Sequence, residues 1–445
     1  MKTPAFVCRV VCLPALLCVA TVPSTQAQAP AAPASSPVLA PKVDANGNPL
    51  RHAATGHVSN YNEAKVGSYT LPDPLVTRNG SPVRDGDAWF KSRRSEILAL
   101  YETEIYGHVP ARVPHLKFTV TEIEPGALDG LAIKKTIVGR IGDTADAPSV
   151  HVTLMLPAKA AGPVPVLLHL LFFGGDSAAP AGAAATPTRP RPVEVGPIAE
   201  LLAHGYGYAT FRYTEFEGDS AAANLSLVRG LALAPGQTKP AADEWGTITA
   251  WAWGASRVLD YLETDRAVDA KRVALIGHSR IGKTVLWAGA RDERFALVFS
   301  SCAGEMGSSL ARRDYGETVD DMAASFPWQF AGNFQKYAGH WNDLPVDTHM
   351  IIALCAPRPV FITGGTQDQW ADPRGEFLAE VAAGPVYRLL GKKDLGTREL
   401  PPLDTPLISG DLGFHYHTGG HAITPSDWKA FLDFADRHLR PLPSG

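Results

Sequence analysis

Hydrophobic and polar positions change rhythm along this chain. In AWFKSRRSEILALYETEIYG (88–107) apolar residues return at three- and four-residue spacings through Trp89, Ile97, Leu100, Tyr101 and Ile105, which predicts a helix. Residues 116–125, 131–142 and 149–158 then alternate apolar and polar, as antiparallel strands do when one face meets a core. From residue 163 the alternation stops. PVPVLLHLLFFGG (163–175) is a continuous apolar run ending in glycines, which suits a strand covered on both faces. GYGYATFRY (205–213), RVALIGHS (272–279), FALVFSSCAG (295–304) and RPVFITGGTQD (358–368) read the same way. Helical periodicity marks 244–265, 280–292, 372–384 and 424–439. The last of these has Thr424 placed to cap it and Pro425 at its first position. Strands alternating with helices predict an α/β fold, with a mostly parallel central sheet, helices on both faces and an antiparallel N-terminal edge. No internal repeat interrupts this order, so residues 43–445 read as one domain.

The N-terminus follows other rules. Lys2 and Arg9 precede an apolar stretch at 10–20, and Ala27-Gln28-Ala29 supplies small residues for cleavage. Residues 1–29 are thus expected to be a signal peptide, too short to span a membrane. Residues 30–42, rich in Ala, Pro and Ser, read as a disordered tether. The expectation is a periplasmic or secreted protein, with no membrane attachment after cleavage. Three of the five cysteines leave with the signal. Cys302 and Cys355 remain and allow one disulfide, so the fold must rest on its core rather than on a disulfide framework. The formal net charge of −4 and the absence of a basic run exclude nucleic acid as a natural partner.

Candidate chemistry centres on GHSRIGK (277–283). Gly277, Ser279 and Gly282 spell G-x-S-x-x-G, one residue longer than the G-x-S-x-G nucleophile elbow. An ordinary tight turn would read the same way. The context separates the two: a strand ends at Ser279 and a helix begins at Arg280, which places the serine on a sharp turn. Gly277 permits the close approach beneath it. The Arg280 N–H at the helix start would face an oxyanion. A nucleophilic serine needs a base and an orienter, in the chain order Ser, acid, His for doubly wound hydrolases. Asp368 ends the strand that starts near 358, with Asp372 behind it. His415, His417 and His421 follow. His421, after two glycines and just before the last helix, is the expected base; His415 and His417 read as surface or packing residues.

GHSRIGK resembles the G-x-S-R-x-G-K signature of the glucuronoyl esterases, carbohydrate esterase family fifteen. The likeness extends to WGTITAWAWGASRVLDYLETD before the elbow, RRDYGETV (312–319), ALCAPRPVFITGGTQDQWADPRGEF (353–377) and GGHAITPSDW (419–428), and spans roughly residues 60–440. The resemblance implies an α/β-hydrolase fold without metal or cofactor. It implies cleavage of the ester that joins glucuronic acid of glucuronoxylan, or its 4-O-methyl form, to a lignin alcohol. Under it, Ser279 is the nucleophile, His421 the base and Arg280 the oxyanion stabiliser, while Lys283, Glu317 and Trp370 contact the sugar. Without the family these three read as a solvated helix lysine, a glutamate paired with Arg312 or Arg313, and a packing tryptophan. One position departs. Many members carry the triad acid as a glutamate after the strand following the elbow, where this chain has Cys302. Asp368 is the expected orienter, with Glu305 second. Other carbohydrate esterases, of acetyl-xylan or feruloyl type, and an inactive sugar-binding homologue are the competing readings. A monomer is expected.

Overall fold

The computed structural model describes residues 43–172 and 195–440. The expected signal peptide and tether, and residues 173–175 of the first apolar run, lie outside them. By its contacts the chain divides into Met1–Ala40 and Pro41–Gly445; the described elements all fall in the second unit. Among the described residues no helix is long and apolar enough to cross a membrane.

Nine strands form one sheet: β1 Leu116–Gly126, β2 Ala132–Ile141, β3 Ser149–Pro157, β4 Val164–Leu171, β5 Gly207–Arg212, β6 Val268–His278, β7 Leu297–Ser301, β8 Val360–Gly365 and β9 Leu412–His417. Their order is β1-β2-β3-β5-β4-β6-β7-β8-β9. The pairs from β1 to β5 along the edge are antiparallel, and those from β5 through β4 to β9 are parallel. The alternating sequences thus became the antiparallel edge and the continuous apolar runs the parallel interior. β1, the outermost strand, is exposed along most of its length. Its Lys117, Glu122 and Glu124 suit an edge that must not pair with another chain.

Both faces of the parallel region are covered. On one face Val273 and Leu275 of β6 join α1 (Thr247–Leu262), α2 (Arg280–Arg291), α3 (Thr348–Cys355) and α4 (Pro373–Leu389) in one apolar cluster. On the other, Ala274 and Ile276 of the same strand meet Trp428, Phe431 and Phe434 of α5 (Pro425–Leu439). Each fully buried large side chain contributes about 1.5–3 kcal/mol. The helix expected at 88–107 runs from Gly86 to Ile105 as successive α and π turns, with Trp89, Ile97, Tyr101 and Ile105 buried and Leu100 only partly so.

Several elements escaped the sequence reading, among them the helices Ile198–Ala203 and Val319–Ser325, β9 and α3. β9 is short and holds two histidines, and no strand was predicted there. Helix α3 (THMIIALC) is buried all round and has no polar face to reveal a period. Helix α4 also continues past Gly384 and through Pro385 to Leu389, carrying Val386 and Tyr387 into the core.

Candidate active site

The elbow forms as the sequence predicts. β6 stops at His278, α2 starts at Arg280, and Ser279 between them is held at φ 58° and ψ −131°. A non-glycine residue there costs about 1–3 kcal/mol and persists only when its surroundings impose it. They do: Ser279 N–H donates to Ser301 O of β7 (2.8 Å), and Lys283 N–H closes the first helical turn on Ser279 O (3.1 Å). The Ser279 hydroxyl makes no capping bond to the helix. Both glycines of the motif are explained by close approach. A Cβ on Gly277 would lie 2.4 Å from Ile281 O; one on Gly282 would lie 2.9 Å from Ala303 Cβ and from Ser300 Oγ. The extra residue before Gly282 therefore sets its α-carbon against the end of β7.

Asp368 and His421 come together at this turn. His421 Nδ1 donates to Asp368 Oδ2 at 2.6 Å. The acid side chain is 6% exposed and the imidazole 43%, so the imidazole and not the carboxylate faces the pocket. Backbone bonds join their loops: Thr366 N–H donates to His417 O (3.0 Å) and Gln367 N–H to Gly419 O (2.7 Å). Ser279, Arg280, Lys283, Glu317, Trp370 and His421 line one pocket of about 220 Å³ at the C-terminal end of the parallel strands, where open α/β sheets bind ligands. A more open groove of about 600 Å³ between the starts of β4 and β6 contains none of them.

The other predicted residues interlock. Lys283 is buried, and its Nζ donates to Glu317 Oε2 (3.1 Å). Glu317 Oε1 accepts from Trp370 Nε1 (3.0 Å). Glu317 thus pairs with Lys283 rather than with Arg312 or Arg313, and Lys283 is not on a solvated face. Arg312 instead meets Asp347, and Arg313 meets Asp372 and Glu63. Trp370 is half-buried, and the Arg51 guanidinium lies 4.5 Å from its ring centroid. One of its faces is therefore already occupied.

The alternative orienter goes elsewhere. Glu305 is fully buried and does not line the pocket. Burial first, and then the charge of Asp347, hold its carboxyl well above the usual range. Cys302 stands beside the pair. One ligand atom each from Cys302, Asp368 and His421 lie within 4.8 Å of one another, a grouping that could hold a metal ion, although the Asp368–His421 bond already occupies one atom of each. Cys302 and Cys355 are both free and buried, so the disulfide that the cysteine count allowed is not formed.

Asp219 and Arg51 were missed. Asp219, in the loop after β5, takes Arg280 Nη1 (2.6 Å) and the Tyr213 hydroxyl (2.8 Å) on Oδ2. On Oδ1 it takes Trp328 Nε1 and Gln329 Nε2, each at 2.9 Å. Burial opposes its charge, but the Arg280 charge and these donors outweigh it and lower its pKa. The Arg280 guanidinium, also over the Phe326 ring at 5.0 Å, is fixed in direction by this carboxylate. No spacing in the sequence links Asp219 or Arg51 to the elbow. Behind His421, the ring of His278 packs at 4.4 Å, and burial keeps it neutral.

A family model described as fungal glucuronyl esterase matches residues 240–391. A carbohydrate esterase from an unknown prokaryotic organism is 40% identical over 400 residues, which is 85% of this chain and 92% of that protein. The 4-O-methyl-glucuronoyl methylesterase 1 of Phanerochaete chrysosporium is 31% identical over 334 residues, 73% of this chain and 63% of its own length. The solved glucuronoyl esterase from Solibacter usitatus aligns with a TM-score of 0.77 at 43% identity, over 85% of this chain and 100% of that one.

Proposed function

The chain belongs to the glucuronoyl esterases of carbohydrate esterase family fifteen, α/β-hydrolase-fold enzymes that cleave carboxylic esters of glucuronic acid, and on that premise we propose that its substrate joins the glucuronic acid of glucuronoxylan, 4-O-methylated or not, to a lignin alcohol. The reaction passes through a glucuronoyl-serine. His421 takes the proton of Ser279 as the hydroxyl attacks C6 of the uronate. Asp368 holds the imidazole in the tautomer that accepts at Nε2 and stabilises the imidazolium that forms. The carbonyl oxygen becomes an oxyanion beside the Arg280 N–H at the start of α2; one such donor is worth about 3–4 kcal/mol. Collapse expels the alcohol, which leaves with the His421 proton. Water, deprotonated by His421, then releases the acid and restores Ser279.

The observation that carries this reading is the 2.6 Å Asp368–His421 bond in the same pocket as the strained Ser279. Lys283, Glu317 and Trp370 supply the sugar end. Their mutual hydrogen bonds fix the polar atoms before substrate arrives, which favours a hydroxyl-rich ring over an acetyl or feruloyl group. The intact pair and serine likewise disfavour an inactive sugar-binding protein. Residues 1–29 direct export and are removed, and the mature protein acts as a monomer in the periplasm or outside the cell. Mass spectrometry of the exported protein tests the cleavage site.

Hydrolysis of benzyl glucuronate, para-nitrophenyl acetate and methyl ferulate by the wild type and Ser279→Ala tests the whole reading. Cleavage of the uronate ester should dominate, and Ser279→Ala should lower its kcat by about 10⁴- to 10⁶-fold. Preferred cleavage of acetate or ferulate would overturn the substrate, and an active Ser279→Ala would overturn the nucleophile.

A further inference from the structure

Two histidines that the reaction does not use lie behind the base. His415 and His417, on β9, are buried and share the carboxylate of Asp427 on α5. His415 Nδ1 lies 2.7 Å from Asp427 Oδ1, and His417 Nδ1 lies 3.1 Å from Oδ1 and 3.0 Å from Oδ2. His417 differs from its neighbour at the other nitrogen. Its Nε2 lies 3.1 Å from the carbonyl oxygen of Gly420, the residue joined to His421. A carboxylate and a carbonyl both only accept. Both ring nitrogens of His417 must therefore donate, which only the imidazolium does. Asp427 is anchored in turn, since Oδ2 also accepts from Thr424 N–H (2.7 Å) and Thr424 Oγ1 (2.8 Å) at the start of α5.

We propose that His417, as an imidazolium clamped between Asp427 and the Gly420 carbonyl, is a positioning residue that sets the loop delivering His421 to Ser279. The proposal rests on the assignment of His421 as base. Gly419 and Gly420 impose little conformation of their own; Gln367 N–H holds the Gly419 carbonyl (2.7 Å), and His417 holds the Gly420 carbonyl next to His421 (3.1 Å). The groups facing His417 are Asp427, His415 and, farther off, Asp368, Asp404 and His278. Burial works against its charge, and the hydrogen bond and charge of Asp427 with the Gly420 carbonyl outweigh it, so its pKa is raised above the ordinary 6.5. The clamp is fully present below about pH 6.5. It is lost as pH rises through that raised value, because one ring nitrogen then has no proton to donate.

Three measurements test this. Nitrogen-15 histidine spectra of the wild type at pH 7 should contain a ring with both nitrogens protonated. That signal should persist in His421→Ala and His415→Gln and vanish in His417→Gln. Wild-type kcat on benzyl glucuronate should fall on the alkaline side of neutrality with KM little changed. In His417→Gln, kcat should be about 10- to 100-fold lower, as for a displaced catalytic group, and the alkaline fall should be gone. A neutral His417 at pH 7 in the wild type, or wild-type kcat across the pH range in a folded His417→Gln, would overturn the proposal. Sequential assignment of the wild-type ring needs no variant at position 417 that folds. An active His421→Ala would instead remove the base assignment and leave the charge state of His417 as measured.

Discussion

Asp368 and Glu305 show what one residue's surroundings decide. Both are carboxylates near the end of a sheet strand, and both were open as orienter. Asp368 meets His421 at 2.6 Å, whereas Glu305 is sealed away from the pocket by burial. Asp368→Ala should therefore lower kcat on a uronate ester by about 10³- to 10⁴-fold with a small change in KM. Glu305→Gln should leave kcat within a few fold, because it exchanges one neutral buried group for another. Steady-state kinetics of the two variants side by side check this. Ser279 and Asp368 were legible because each sits at a strand end, and His421 because it follows two glycines just before the last helix, all in the chain order that the chemistry demands. Asp219 was not. Its role depends on a loop from β5 reaching across to the start of α2, and local sequence carries no trace of a contact between residues 61 positions apart.

At the scale of elements, periodicity read well where an element has two different environments and poorly where it has one. The strand β6, the turn at Ser279 and the helix α2 were clear because an apolar run switches to helical spacing at a single residue. The uniformly buried α3 and the short β9 were not. The unusual spelling of the elbow now has a structural meaning: α2 lies so close to β7 that its third residue can carry no side chain. Gly282→Ala should overpack this contact and destabilise the protein by about 1–3 kcal/mol, measurable by urea unfolding. It should also lower kcat, since the shift passes directly to Ser279. An unchanged midpoint would mean that Ala303 and Ser300 yield without cost.

Over the whole molecule, the alternation of strands and helices revealed the layered architecture, and the switch from alternating to continuous apolar runs revealed where antiparallel gives way to parallel. The core also holds charge-capable groups that no pattern betrays. Glu380 on α4 is fully buried, and burial first, then its neighbour Glu376, raise its pKa well above 4.5. The native state therefore binds this proton more tightly than the unfolded state does. Its contribution is fully present below about pH 4.5 and is lost as pH rises toward the native value. Glu380→Gln should have a melting temperature that exceeds the wild type's by a margin widening from pH 4.5 to pH 8. A constant margin would mean that Glu380 does not titrate in the native protein.

Three cations line the pocket, and two arrive already matched: Arg280 by Asp219 and Lys283 by Glu317. The third, Arg51, is exposed and has no ion pair among the described residues. An ester carries no charge and enters without disturbing either inner pair. Hydrolysis then creates a carboxylate where the inner cations are committed, while Arg51, exposed beside Trp370, acts on Asp321 only through its charge. With both inner cations already paired, free glucuronate at neutral pH should inhibit with a Ki above the KM of its methyl ester. Turnover on a polymer dense in uronates would then not stall on the acid it releases.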